Sequence, residues 1–199
     1  MGWEVCGADS RSESLSVIFV PTPLPGAVVI EPERHHDERG YFTRTWCRRE
    51  FESMGLNSDL VQCSSSHTLQ RGTLRGMHWQ APPHAEVKLV RCTRGAIWDA
   101  IIDLRLESPT YCQFFGIELT EQSGRALYIP AGFAHGFVTL ENDTEVLYQM
   151  SNYFEPSAAR GVRWNDPAFG IVWPVADPIM HPRDKGYPDF VRETADAAK

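Results

Sequence analysis

A chain of 199 residues, 42% hydrophobic and 23% charged, is long enough for one sizeable core and too apolar for wholesale disorder. Its net charge of -7 argues against a nucleic-acid partner, although a local group of arginines can still hold a small anion. No apolar run approaches membrane-spanning length, and the stretch from Leu15 to Val29 is broken by Pro21, Pro23 and Pro25, which excludes a signal core. Five cysteines with no Cys-x-x-Cys pair read as reduced, mostly buried thiols of a cytoplasmic protein rather than a disulfide or zinc framework.

Residues 1 to 24 are polar, then Ser-rich, then Pro-rich, and read as an N-terminal extension, loosely ordered or packed on a partner. Residues 25 to 199 read as a single domain without internal repeats. Ala27-Val-Val-Ile30 is a short apolar run, and Asp37-Glu-Arg-Gly40 is a turn before Tyr41-Phe-Thr-Arg-Thr-Trp46, whose residues suit a strand. Arg48 to Met54 is a short helical candidate stopped by Gly55. Lys88 to Cys92 is a strand, followed by the turn Thr93-Arg94-Gly95. Ala96 to Leu104 then alternates, with Ala96, Trp98, Ala100, Ile102 and Leu104 on one side and the mixed set Ile97, Asp99, Ile101 and Asp103 on the other. Further strands are expected over Phe114 to Leu119, Ala126 to Ile129, Phe137 to Leu140 and Glu145 to Met150, with turns between them. After Tyr153 the chain turns irregular and ends in a polar segment compatible with a small helix. Short strands at this rhythm imply an all-β sandwich or barrel, and the absence of a Gly-rich strand-to-helix loop removes the common nucleotide-binding α/β folds.

Within this apolar text sit a few polar residues that need a partner or a purpose. His78 lies in Leu74-Arg75-Gly76-Met77-His78-Trp79-Gln80, Lys88 opens a strand, His135 sits between Phe133 and Phe137, Tyr148 follows Val146-Leu147, and Asp184 lies near the end. Singly, each has an ordinary explanation: a histidine satisfying a backbone group, a solvated strand end, a core or supporting histidine, a packed tyrosine. Together, a base, a cation and a phenol converging in an apolar barrel are what proton transfer next to a carbonyl requires. Arg75 and His78 have opposite strand parity, but Gly76 between them permits a bend that brings both toward one cavity. Spacing disfavours a metal: Gln80 stands where a second histidine of a two-apart pair belongs, His35 and His36 are adjacent, and His67, His84 and His181 show no ligand spacing.

From about Gly26 to Phe190 the chain resembles the dTDP-4-dehydrorhamnose 3,5-epimerase family of nucleotide-sugar epimerases. The segments that carry the resemblance are Asp37-Glu-Arg-Gly-Tyr-Phe42, Leu74 to Gln80, Lys88-Leu-Val-Arg91, Asp103-Leu-Arg105 with Ser108-Pro-Thr110, Ile129 to Phe137, Trp164-Asn-Asp-Pro167 and Arg183-Asp184. The resemblance implies a cupin-type jelly roll, a double-stranded β-helix with short peripheral helices. It implies His78 as catalytic base, Asp184 as the carboxylate that orients it, Tyr148 as the acid on the opposite face of the sugar, and Lys88 and His135 around the sugar and its carbonyl. Arg75 and Arg39 match arginines that hold the nucleotide diphosphate, and Phe42, Gln62, Ser64 and Tyr153 fall at further substrate-binding positions. Arg39 and its neighbours are expected to reach the adjacent subunit's site, which implies a homodimer. The expected substrate is a nucleotide-linked 4-keto-6-deoxyhexose inverted at C3, C5 or both, with no cofactor, no metal, no nucleic acid and no membrane.

The chain departs from the family pattern in places. Gln62-Cys-Ser-Ser-Ser66 replaces Gln-Asp-Asn-His-Ser, so Ser64 stands for an asparagine near the sugar, which leaves the sugar and the number of carbons inverted open. His181-Pro-Arg183-Asp184 differs from Ser-x-Lys-Asp, and Phe154 replaces the second of two adjacent tyrosines. A 3- or 5-only epimerase, a 3,4-ketoisomerase and a non-catalytic sugar-binding module are the competing readings; the last would lack a base or an acid, and neither is missing.

Overall fold

The structure, a computed structural model, describes residues 16–192. In chain order it contains β1 (Val17–Pro21), β2 (Val28–Pro32), β3 (Arg34–Asp37), β4 (Gly40–Thr43), α1 (Arg48–Ser53), β5 (Gln62–Thr68), β6 (Leu74–Gln80), β7 (Lys88–Arg94), β8 (Ala96–Asp103), β9 (Phe114–Thr120), β10 (Ala126–Ile129), β11 (Phe133–Thr139), β12 (Thr144–Met150), β13 (Ala159–Gly161) and α2 (Pro182–Lys185). One sheet runs β1-β2-β10-β7-β12-β5, a second runs β13-β6-β11-β8-β9, and β3 and β4 form a separate hairpin. From β5 onward every connection crosses between the two sheets except the β8–β9 hairpin. That winding is the expected all-β jelly roll.

Leu24, Val29, Val90, Ile97, Ile101, Leu119, Leu127, Phe133, Phe137 and Val146 fill the space between the sheets. Outside the first sheet, Phe51 of α1 packs with Val17, Ile30, Leu89 and Tyr128. Outside the second, the chain beyond β13 lays Val162, Phe169, Ile171, Trp173 and Phe190 over Met77, Trp98, Ala100 and Ile102. Such buried side chains are each worth roughly 1.5–3 kcal/mol over exposure. The two sides of β8 thereby find their reasons. Its apolar side faces outward under the C-terminal cover, while the mixed side faces the interior, where Ile97 and Ile101 join the core and Asp99 has work to do.

The extension expected up to residue 24 is corrected over its described part. Val17–Pro21 pairs with Val28–Pro32 over five residues, with Val17 buried, and Leu24 is among the most buried side chains. Pro21 is accommodated because β1 is an edge strand, where a missing donor faces no neighbour. The remainder of that extension and the polar C-terminal tail lie outside the described residues. The strand expected over Tyr41 to Trp46 is shorter, ending at Thr43, and the helix expected over Arg48 to Met54 forms as Arg48–Ser53. Among the described cysteines Cys92 and Cys112 are buried, Cys47 is half-buried and Cys63 is exposed, and all four are free thiols. Among the described residues no helix is long and apolar enough to cross a membrane.

Candidate active site

His78 sits on β6 between two partner strands. Across one side it pairs with His135 of β11, and across the other with Gly161 of β13. The β6–β11 register slips between His135 and Phe137, which face His78 and Arg75, so β6 carries one extra residue there. Gly76 lies inside this bulge at φ +141°, and a Cβ on it would stand 2.4 Å from the Cα of Gly136. Only glycine supplies both the dihedral and the close approach. The extra residue cancels the parity difference, and Arg75 and His78 line one cavity together with Ser66, Tyr148, Arg183 and Asp184. This is the bend expected of Gly76.

Asp184 arrives from α2. The segment before it is tied to the start of β6 by Leu74 N donating to the Ile179 carbonyl at 2.8 Å and Ile179 N to that of Gly72 at 2.9 Å. The His181 ring accepts from Arg183 N at 3.2 Å and caps the helix start. Asp184 Oδ1 then lies 2.9 Å from His78 Nε2 and 3.0 Å from Arg183 Nε, and its side chain is 4% exposed. Burial alone would raise this carboxyl's pKa, but the hydrogen bond and charge of His78, followed by those of Arg183, outweigh burial and hold it below the ordinary value. Asp184 therefore stays a carboxylate.

The facing sheet supplies the cation and the phenol. Lys88 opens β7, with Nζ 2.7 Å from Glu86 Oε1 and 3.2 Å from the His78 carbonyl oxygen. Tyr148 of β12 stands opposite Val90 and Ser64, and its hydroxyl is 3.4 Å from Ser66 Oγ. Burial pushes the Tyr148 phenol far above its ordinary pKa, with Asp99 adding to the rise and the Ser66 hydrogen bond and Arg75 opposing it. His135 is buried with Nε2 2.7 Å from Asp99 Oδ1, and its ring lies edge-on to Tyr148 at 6.2 Å. The His78 imidazole and the Tyr148 phenol thus come from opposite sheets, and each histidine is held by its own carboxylate. Among the described residues no group of three or more His, Cys, Asp or Glu side chains is placed to hold a metal.

Beside this space, a second cavity is lined by His78, Glu86, Lys88, Phe154, Arg183 and Tyr187, among others. His78 and Arg183 face both. Of the residues expected from the sequence, His78, Asp184, Tyr148, Lys88 and Arg75 line these cavities, and His135 packs behind Tyr148. Ser64 faces Tyr148 across the strands, and Gln62 Oε1 accepts from Phe154 N at 3.2 Å at the end of the same strand. Three others stand apart. Arg39 and Phe42 are exposed on the β3–β4 hairpin, Arg39 paired with Asp37, and Tyr153 is exposed while its neighbour Phe154 lines the cavity.

Five site residues went unread in the sequence: Glu86, Asp99, Ser66, Arg183 and Tyr187. Glu86 had a signal, since two-residue spacing puts it on the face of Lys88. Asp99 stood on the mixed side of β8 without an identified partner. Tyr187 had none: its ring lies edge-on to His78 at 6.1 Å because Gly161, opposite His78, leaves the room a Cβ would fill.

Comparisons with known proteins identify the family and the fold. Residues 21–192 match the family described as dTDP-4-dehydrorhamnose 3,5-epimerase. The dTDP-4-dehydrorhamnose 3,5-epimerase of Salmonella typhimurium is 40% identical over 174 residues, 86% of this chain and 94% of that protein. The dTDP-4-dehydrorhamnose 3-epimerase of Streptomyces niveus is 36% identical, over 83% of this chain and 80% of that protein. A crystal structure of the 3,5-epimerase from Bacillus anthracis with TDP and PPi bound has a TM-score of 0.85 and 38% identity, covering 88% of this chain and 100% of that one. With the sandwich and the match over nearly the whole described chain, this protein belongs to the dTDP-4-dehydrorhamnose 3,5-epimerase family, and so to the isomerases.

Proposed function

We propose that the protein inverts C3, C5 or both of a nucleotide-linked 4-keto-6-deoxyhexose, of the dTDP-4-dehydro-6-deoxyglucose to dTDP-4-dehydrorhamnose type, by proton transfer between His78 and Tyr148. The observation that carries this reading is the placement of an imidazole on one sheet and a protonated phenol on the other, lining one cavity. Hydrogens on C3 and C5 are acidic because each carbon flanks the C4 carbonyl. With Nε2–H given to Asp184, the His78 imidazole keeps its Nδ1 lone pair for such a proton, and Asp184 stabilises the imidazolium that results. The C–H electron pair moves onto the carbonyl oxygen as an enolate, where the Lys88 ammonium is worth most in a site shielded from water. Tyr148 delivers its proton to the other face of the carbon, the carbonyl re-forms and the centre is inverted. Arg75 and Arg183 line the same cavity as His78 and supply positive charge for the nucleotide diphosphate. No redox group or metal enters the scheme.

The reading includes a cytoplasmic homodimer in which Arg39 and Phe42, exposed on their hairpin, complete the neighbouring subunit's site. A single-carbon epimerase is the second reading, favoured by Ser64 at the position opposite Tyr148 and by the Streptomyces niveus relative's activity.

Incubation with dTDP-4-keto-6-deoxyglucose in deuterated water, followed by NMR at C3 and C5, tests both. Deuterium with inversion at both carbons establishes the double epimerase; label at one carbon alone establishes the single. Migration of the carbonyl to C3 would reveal a ketoisomerase, and no label at either carbon refutes the scheme. His78→Asn is expected to cut label uptake by about 10²- to 10⁴-fold.

A further inference from the structure

Glu86 is a buried carboxylate that the scheme above leaves half used. Its side chain is 6% exposed and lines the cavity shared by His78, Lys88 and Phe154. Val87, next in the chain, donates to Ser151 Oγ at 2.8 Å and accepts from Ser151 N at 3.0 Å, which pins residue 86 against the cavity wall. Oε1 takes the Lys88 ammonium at 2.7 Å, while Oε2 is buried with no hydrogen-bond partner among the described residues. A carboxylate with one oxygen removed from water and left without a donor is unfavourable as it stands, so Glu86, which lines the cavity, has acceptor capacity to spare for a ligand's hydroxyl. Neighbouring polar groups already have partners. Gln80 donates to the His84 and Tyr153 carbonyls and accepts from Glu155 N, and Arg160 Nη1 donates to the Ser157 and Ala159 carbonyls.

Lys88 and Glu86 together present a donor and an acceptor side by side. Their complement is a carbonyl oxygen flanked by a hydroxyl: the carbonyl accepts from the ammonium, and the hydroxyl donates to the Glu86 carboxylate. In a 4-keto-6-deoxyhexose the only hydroxyl on a carbon next to the carbonyl is at C3, since C5 carries the methyl group and the ring oxygen. We propose that Glu86 binds the C3 hydroxyl, so that the Glu86–Lys88 pair selects sugars with an α-hydroxyketone edge. This rests on the ketosugar reading above and makes Glu86 a substrate-binding residue that moves no proton.

The test compares calorimetric affinities of nucleotide-linked 4-keto-6-deoxyglucose and its 3-deoxy analogue in a His78→Asn background, where turnover does not intrude. The parent sugar is expected to bind about 10- to 100-fold more tightly, the range for a hydrogen bond to a charged group. Glu86→Ala should narrow that gap to within about threefold, because one site has lost what distinguishes the two sugars. Any weakening through Lys88, left without its partner, affects both sugars and cancels in the ratio. Glu86→Gln, which keeps the shape and one acceptor, should give an intermediate gap and decides the matter where the alanine variant does not fold. A gap unchanged in these variants, or equal binding of both sugars by the His78→Asn protein, overturns the proposal. Deuterium uptake by the wild-type protein separates the two levels: uptake with an unchanged gap removes Glu86 alone, whereas no uptake removes the epimerase reading and this inference with it.

Discussion

In the proposed scheme Tyr148 gives up a proton in surroundings that hold that proton on. Burial is the main cause of its raised pKa, which keeps the phenol protonated through neutral and mildly alkaline pH, as an acid needs to be before each turnover. It follows that any alkaline fall in rate below about pH 10 comes from another group. Tyr148→Phe should reduce inversion by about 10²- to 10⁴-fold while label uptake falls much less, both read from one NMR sample; equal losses would remove its separate acid role. Asp184 illustrates the opposite shift. A carboxyl held below its unfolded value stabilises the fold above about pH 4, and that contribution is lost as pH falls through the folded pKa. Melting temperature should therefore be flat from pH 7 to about 5 and fall in more acid solution. Asp184→Asn should lower neutral-pH stability by about 1–3 kcal/mol and flatten the acid slope; a slope equal to wild type would show that other carboxylates set it. Single residues were legible to the extent that their type named a chemistry. His78, Lys88, Tyr148 and Asp184 could be read in that way, but the carboxylate that holds His135 could not. Asp99 lies 36 positions from His135, and their meeting is made by the β8–β11 pairing, which no local pattern encodes.

At the scale of elements, legibility followed side-chain periodicity. β8 could be read to within a residue because its eight residues alternate cleanly, and α1 because Gly55 punctuates it. β5 could not, since Gln-Cys-Ser-Ser-Ser-His-Thr has little strand propensity of its own. It is a strand because seven successive residues pair with β12, and Ser66 on it lines the cavity beside Tyr148. β1 was obscured by the prolines around it, and β13 is only three residues long. The bulge in β6 was foreseen from one glycine, and it offers a sharp test. Gly76→Ala would force a side chain onto Gly136 at a dihedral that suits glycine alone. The expected loss is about 3 kcal/mol, or roughly 6–12 °C in Tm for a chain of this size. A Tm within about 2 °C of wild type would show that β6 and β11 can separate there at little cost.

For the whole molecule, the exposed β3–β4 hairpin sets the question of how copies assemble. Where Arg39 serves the neighbour's site, Arg39→Ala and His78→Asn homodimers are each impaired, yet a mixed dimer contains one site with His78 from one subunit and Arg39 from the other. Mixing the two after reversible dissociation should restore up to half of wild-type activity per mixed dimer; no recovery would place Arg39 in its own subunit's site or outside the site altogether. The order in which this molecule is made has a further consequence. Its last described strand closes at Gly161, and the segment beyond then covers the second sheet before α2 returns Asp184 to His78. A ribosome thus exposes every described strand of the sandwich before it exposes the carboxylate proposed to aim the base. Until that final stretch emerges the nascent protein can wrap a core around its imidazole but cannot steer it. A protease trimming the same stretch would remove that carboxylate and at the same time bare the apolar outer face of the second sheet.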